Sequence, residues 1–95
     1  MKEVTEEKMN RDIDVTKRAL EKAKIIVPEN SHLFSVAKDF YDMAERYFND
    51  ALHFKEKGDF VRADTAVYYA HAWLDAGARL GVFDVQHDST LFTVD

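Results

Sequence analysis

The chain contains no cysteine, one proline and one tryptophan, and only three glycines in 95 residues. Without cysteine, disulfides and zinc–thiolate centres are excluded, so stability has to come from packing. No run approaches the ~20 apolar residues that cross a bilayer, and MKEVTEEKMNRDID at the start lacks the continuous apolar segment of a signal peptide. A cytoplasmic location with no membrane contact is therefore expected. Basic charge is also in short supply. Thirteen Lys and Arg face eighteen Asp and Glu, a net charge of -5, which argues against a nucleic-acid partner because phosphate affinity comes from clustered cations. Also missing are a Gly-rich phosphate loop, a nucleophile elbow and a HExxH motif. No catalytic residue, metal site or cofactor is predicted.

What is present is a soluble globular composition, 46% hydrophobic and 33% charged, at a length that makes one domain of 1–95. The hydrophobic spacing predicts three helices, over about 5–27, 32–57 and 60–80. In the first, Met9, Ile13, Thr16, Leu20, Ala23 and Val27 recur at three- and four-residue intervals, one buried stripe. Thr5 is its cap, and Pro28 ends it. The second starts at a Ser31 cap and carries two apolar rows, Ala37–Phe40–Ala44–Tyr47–Ala51–Phe54 and Phe34–Tyr41–Phe48–Leu52. Gly58 ends it, and Asp59 caps the third helix at once. There Phe60, Ala63, Val67, Ala70, Leu74 and Gly77 form a row of alternating small and large side chains. Gly77 costs roughly 1 kcal/mol of helix propensity and is read as the mark of a close helix crossing. Short connections make sequential helices antiparallel. The predicted fold is all-α, an up-down-up antiparallel three-helix bundle with a short irregular C-terminal tail over 86–95. Leu20, Phe40, Ala44, Phe48, Ala51, Val67, Ala70, Trp73, Leu74 and Gly77 are expected to be buried, and the Val82–Val85 segment to pack on the bundle end.

The string AHAWLDAG (Ala70 to Gly77), within YYAHAWLDAGARLGVFDV and after the aromatic-rich YDMAERYFNDALHFKEKGD, is distinctive. It resembles a family of small archaeal helical proteins known only as a domain of unknown function. The resemblance covers about half the chain. It implies a three-helix bundle and an archaeal source, and it brings no activity or catalytic residue with it.

Two constellations are candidates for chemistry. Asp64, Tyr68, His71, Asp75 and Arg79 share one face of the third helix. His71 and Asp75 could act as an acid–base pair or two ligands, but two ligands do not make a metal site. The stronger reading is structural, with Asp75 and Arg79 as an intrahelical ion pair and His71 hydrogen-bonded locally or across to the second helix. In the second helix, Arg46 and His53 stand seven apart in RYFNDALH. That spacing resembles the loose Arg-to-His motif of helical RNA-cleaving domains, and the resemblance implies phosphate positioning and proton transfer. Tyr47 departs from that pattern, and the bundle is one helix short of that fold. A small-ligand-binding bundle, with a pocket lined by Tyr41, Tyr68 and Trp73, is a further alternative, and Arg46, His53, Tyr68, His71 and Asp75 are the candidate ligand-binding residues. The leading expectation is a non-enzymatic protein–protein interaction module. Aromatic groups in excess of what three helices bury would form a partner surface, whether for another protein or for a second copy in a weak homodimer.

Overall fold

The structure, a computed structural model, describes residues 3–93. In chain order its elements are α1 (Glu6–Lys22), β1 (Lys24–Ile25), α2 (His32–Glu56), α3 (Phe60–Leu80) and β2 (Phe83–Asp84). Each helix begins where a short polar side chain can accept from an otherwise unpaired backbone N–H. Thr5 accepts from Lys8, Ser31 from Phe34 and Asp59 from Arg62. Gly81 ends α3 in the left-handed conformation at φ 89°, which costs a residue without Cβ nothing.

Contacts between α1 and α3 advance in step, Lys8 with Asp64 and Thr16 with His71, so these two helices run parallel. The α2 helix lies antiparallel to both, as the up-down-up order requires. The closest seam joins α2 and α3. Phe40 meets Trp73 and Tyr47 meets Tyr69. That register places Ala37, Ala44 and Ala51 against Gly77, Ala70 and Ala63. The five alanines are wholly buried and Gly77 is buried as well. Small residues every seven positions let the two backbones approach closely. Two apolar clusters fill the interior. One gathers Leu20, Ala44, Leu74 and the C-terminal segment, the other Met9, Ile13, Ala51 and Val67, and Phe48 packs against both. Among the described residues no helix is long and apolar enough to cross a membrane.

The structure corrects the sequence reading in four places. The first helix ends at Lys22, not Val27, and Lys24–Ile25 pairs antiparallel with Phe83–Asp84. Ile25, Ile26 and Val27 are β-branched and stand before Pro28, so extended backbone suits them better than helix, and β2 offers them a partner. Ile26 extends the pairing by donating its N–H to the Val82 carbonyl at 3.0 Å. Second, Phe40, Phe48 and Trp73 are half-buried rather than buried; the other seven residues expected inside are buried. Two of the three, Phe40 and Trp73, line the side of the α2–α3 pair that α1 leaves open.

Third, although Gly77 sits in the α2–α3 seam, the group that crowds it most closely is a side chain of the tail. A Cβ there would collide with the ring of Phe83. Val82, Phe83 and Val85 do pack on the bundle end as expected, all buried. The tail beyond them is more ordered than the sequence suggests. Asp88 accepts from Thr90 N, Thr90 Oγ1 and Leu91 N and receives Lys22 Nζ at 2.7 Å. Those bonds hold the Asp88 carboxyl well below the usual carboxylate range and turn Leu91 and Phe92 inward, where both are buried. Val94 and Asp95 lie outside the described residues. The fourth correction, the partner of Asp75, belongs to the site.

Candidate functional site

The polar row of α3 faces α1 across a groove of about 270 Å³, lined by Asp12, Thr16, Tyr68, His71 and Asp75 among others. At its lower end sits a charge cluster built on Lys8. Its ammonium donates to Asp12 at 2.7 Å, to Asp64 at 2.9 Å and to the Tyr68 hydroxyl at 2.6 Å, and these bonds push the Lys8 pKa upward. The two carboxyls respond in opposite directions. Asp64 is only 3% exposed; burial and then the neighbouring Asp12 push its pKa up, against the pull of Lys8. Burial also acts to raise Asp12, but hydrogen bonds with Asp64, Lys8 and Tyr68 outweigh it and leave that carboxyl below its ordinary value. Asp64 Oδ1 is buried with no fixed hydrogen-bond partner. The hydrogen bond between the two carboxyls needs a proton and favours it on the more deeply buried Asp64, which explains the split.

A testable consequence follows for Asp64. A carboxyl with a raised folded pKa contributes fully below its unfolded value of 3.8 and loses that contribution as pH rises through the folded value. Asn at this position imitates the protonated form, keeping an oxygen for Lys8 and an N–H for Asp12. The urea midpoint of Asp64→Asn relative to the wild type is therefore expected to shift in favour of the variant as pH rises above 3.8 and through the raised folded value. A pH-independent difference would contradict the assignment.

Higher in the groove, His71 is fully committed. Nε2 approaches the Leu91 carbonyl at 2.5 Å and Nδ1 the Thr16 hydroxyl at 3.0 Å. A carbonyl only accepts, so the proton sits on Nε2, and Nδ1 accepts from Thr16. Neither nitrogen is left to take a proton from a substrate while the tail is seated. Asp75 and Arg79, expected to pair with each other, instead hold the backbone of Thr93. Asp75 Oδ1 accepts from Thr93 N at 3.0 Å, and Arg79 Nη1 donates to Thr93 O at 3.2 Å. The cause is geometric. The sequence spacing allows the helical pair, but the folded-back tail brings backbone groups that must be satisfied. The row from His71 to Arg79 is thus a clasp for residues 91–93, with the Phe92 ring lying 6.0 Å from the His71 ring.

Tyr68, His71 and Asp75 are brought together in this groove. Arg46 and His53 do not join it. Arg46 pairs with Asp42 on the exposed side of α2 at 3.0 Å, and His53 is exposed beside the Phe54 ring. Among the described residues no group of three or more His, Asp or Glu is placed to hold a metal ion. Sequence reading missed Lys8, Asp12 and Thr16. Lys8 and Asp12 carried a visible signal, an i,i+4 pair, but the partners of Lys8 on α3 are 56 and 60 positions away. Thr16 looked like one more member of an apolar stripe.

A second feature lies on the opposite side of the α2–α3 pair, away from α1. Here aromatic side chains bridge the two helices in a row. Tyr47 stacks on Tyr69 with ring centroids 4.6 Å apart, Phe40 meets Trp73 edge-on at 5.1 Å, and Arg62 lies over Phe54 at 5.9 Å. The same register sets Leu33 opposite Leu80. Adjacent residues 68 and 69 show the division between faces: Tyr68 turns to Lys8 of α1, and Tyr69 turns to α2. Tyr69 is 55% exposed, Leu80 54% and Leu33 45%. Trp73 Nε1 is buried without a hydrogen-bond partner. Asp39 and Asp50 are exposed on α2, and Arg62 on α3.

Residues 11–83 match the model of a family described as "Protein of unknown function (DUF357)", and the chain belongs to that family. No curated protein and no solved structure matches the chain. The family match includes the AHAWLDAG segment, Gly77 and Phe83, and it stops short of the clasped residues 91–93.

Proposed function

We propose that this DUF357 member is a non-enzymatic, cytoplasmic interaction module whose contact surface is the aromatic face of the α2–α3 pair. The resemblance of its AHAWLDAG core supports an archaeal source. One observation carries the reading: apolar groups line that face from Leu33 and Leu80 at one end to Tyr47 and Tyr69 at its middle, and α1 packs on the other side. A monomer rarely exposes a contiguous apolar patch of this kind without a partner for it. The chemistry-bearing side chains point the same way by subtraction. His71, Asp75 and Arg79 are engaged in holding the C-terminal segment, and Arg46 is paired locally.

Tyr69→Glu tests the reading, because it places a charge at the centre of the face without touching the core. Affinity capture with the wild-type chain is expected to retain a partner, another protein or the chain itself, that the variant loses. Retention of the same set by both would overturn the assignment of the surface.

A further inference from the structure

We infer that residues 88–93 form an exchangeable strap, and that the clasp on α3 also takes this segment from a second copy of the chain. This exchange is independent of the aromatic face and originates in the hinge. Val85 to Asp88 is a turn with two central residues, closed by the Asp88 N–H donating to the Val85 carbonyl at 3.1 Å. Both central residues are left-handed, Gln86 at φ 57° and His87 at φ 55°. Positive φ at both positions marks a type I′ turn, for which Asn-Gly is the favoured sequence. Histidine tolerates this region better than most side chains, glutamine does not, and non-glycine residues held there store strain. One bond steadies the turn, from the Gln86 N–H to Asp84 Oδ1 at 2.9 Å. Extending the two residues releases the strain, and a short strained hinge favours exchange of a terminal segment between copies.

What lies beyond the hinge is a complete unit. Asp88 caps its own turn and pairs with Lys22, Leu91 and Phe92 are buried in the bundle, and His71, Asp75 and Arg79 hold the backbone of Leu91 and Thr93. Lys22 and the three clasp residues all precede the hinge, so a second copy offers the strap the same seat. Val82, Phe83 and Val85 also precede it and stay with their own bundle. A released strap would leave Leu91 and Phe92 in water, and the vacated seat of another copy is the cover that fits both side chains. Extended backbone carries the Cα of Asp88 to about 10 Å from that of Val85, against ~7 Å or less in the turn. Two copies therefore meet at their bundle ends, about a two-fold axis between the hinges, with each strap crossing to the other's clasp. Closure within one chain competes at an effective concentration on the order of millimolar, so exchange needs a concentrated solution.

Size-exclusion chromatography of the full chain, after incubation at about millimolar concentration, tests this. The wild type is expected to yield a dimer that dissociates slowly on dilution, since each strap must open before the copies part. Two substitutions at the hinge should move the dimer fraction in opposite directions. Gln86→Asn suits the left-handed turn, and should weaken dimerisation several-fold. Gln86→Val puts a β-branched residue where positive φ is most costly, and should strengthen it by about tenfold or more. A variant that merely loosened the fold would not show that reversal, and far-UV circular dichroism checks that both keep their helices. Tyr69→Glu, on the other side of the molecule, should leave this dimer unchanged. A wild type that stays monomeric, hinge variants that do not move the dimer in opposite directions, or a dimer that Tyr69→Glu abolishes would overturn the inference. The last outcome would assign self-association to the aromatic face instead.

Discussion

Phe83→Ala is expected to lower the stability of the chain by about 3–5 kcal/mol, the cost of emptying a buried aromatic site. The ring is 3% exposed and sits edge-on to Tyr41 with centroids 6.1 Å apart. It belongs to β2, whose pairing with Ile25 is one of only two residue pairs in that ladder. Its removal therefore opens a cavity at the bundle end and also weakens the attachment of the tail, which carries Leu91 and Phe92 into the same cluster. A domain of this size has about 5–15 kcal/mol of total stability, so the variant should unfold at a much lower urea concentration. A loss below about 1 kcal/mol would mean that the C-terminal segment is an ornament on the bundle and not part of its core.

Filling the space from the other side should also destabilise. At Gly77 even a Cβ would collide with the Phe83 ring. Gly77→Leu gains roughly 1 kcal/mol of helix propensity, yet a net loss of about 1–3 kcal/mol is expected, because the buried ring has nowhere to go. The two substitutions share one volume. In the double variant Gly77→Leu/Phe83→Ala, the leucine occupies part of the site that the ring vacates, and the combined loss should fall short of the sum. Urea midpoints of the four proteins measure this. An unchanged midpoint for Gly77→Leu, or strict additivity, would remove the close-packing argument.

These two residues also show what the sequence could and could not disclose. Periodicity and caps located the three helices because helix propensity, capping and burial are local and agreed with one another at Thr5, Ser31, Asp59 and Gly81. The cost of a glycine inside a helix pointed correctly to a crowded position at residue 77. It could not say by what, since Phe83 closes back only after the chain has turned at Gly81. The same limit hid the end of α1. Val27 continues the apolar stripe in sequence, but β-branched residues before Pro28 extend once β2 is available to pair with them. Similarly, the shared face of Asp64, Tyr68, His71, Asp75 and Arg79 was legible as spacing. Its use as a clasp depended on backbone groups of Leu91 and Thr93 that no helical pattern reveals. The aromatic excess on α2 and α3 was visible from composition, and only the register of the pair showed that Tyr47 and Tyr69 stack on the side away from α1.

The central claim is that the aromatic face of α2–α3 is the contact surface of this protein. Amide chemical shifts of the isotope-labelled wild type, followed over a concentration series from low to high micromolar and on addition of a partner retained by affinity capture, test it residue by residue. The account predicts shifts, with concentration or with the partner, at Leu33, Phe40, Tyr47, Tyr69, Trp73 and Leu80, with Lys8, Asp12 and Thr16 on the α1 side unchanged. Amides of this face that neither concentration nor the partner moves, or shifts that gather at the α1–α3 groove, would contradict it.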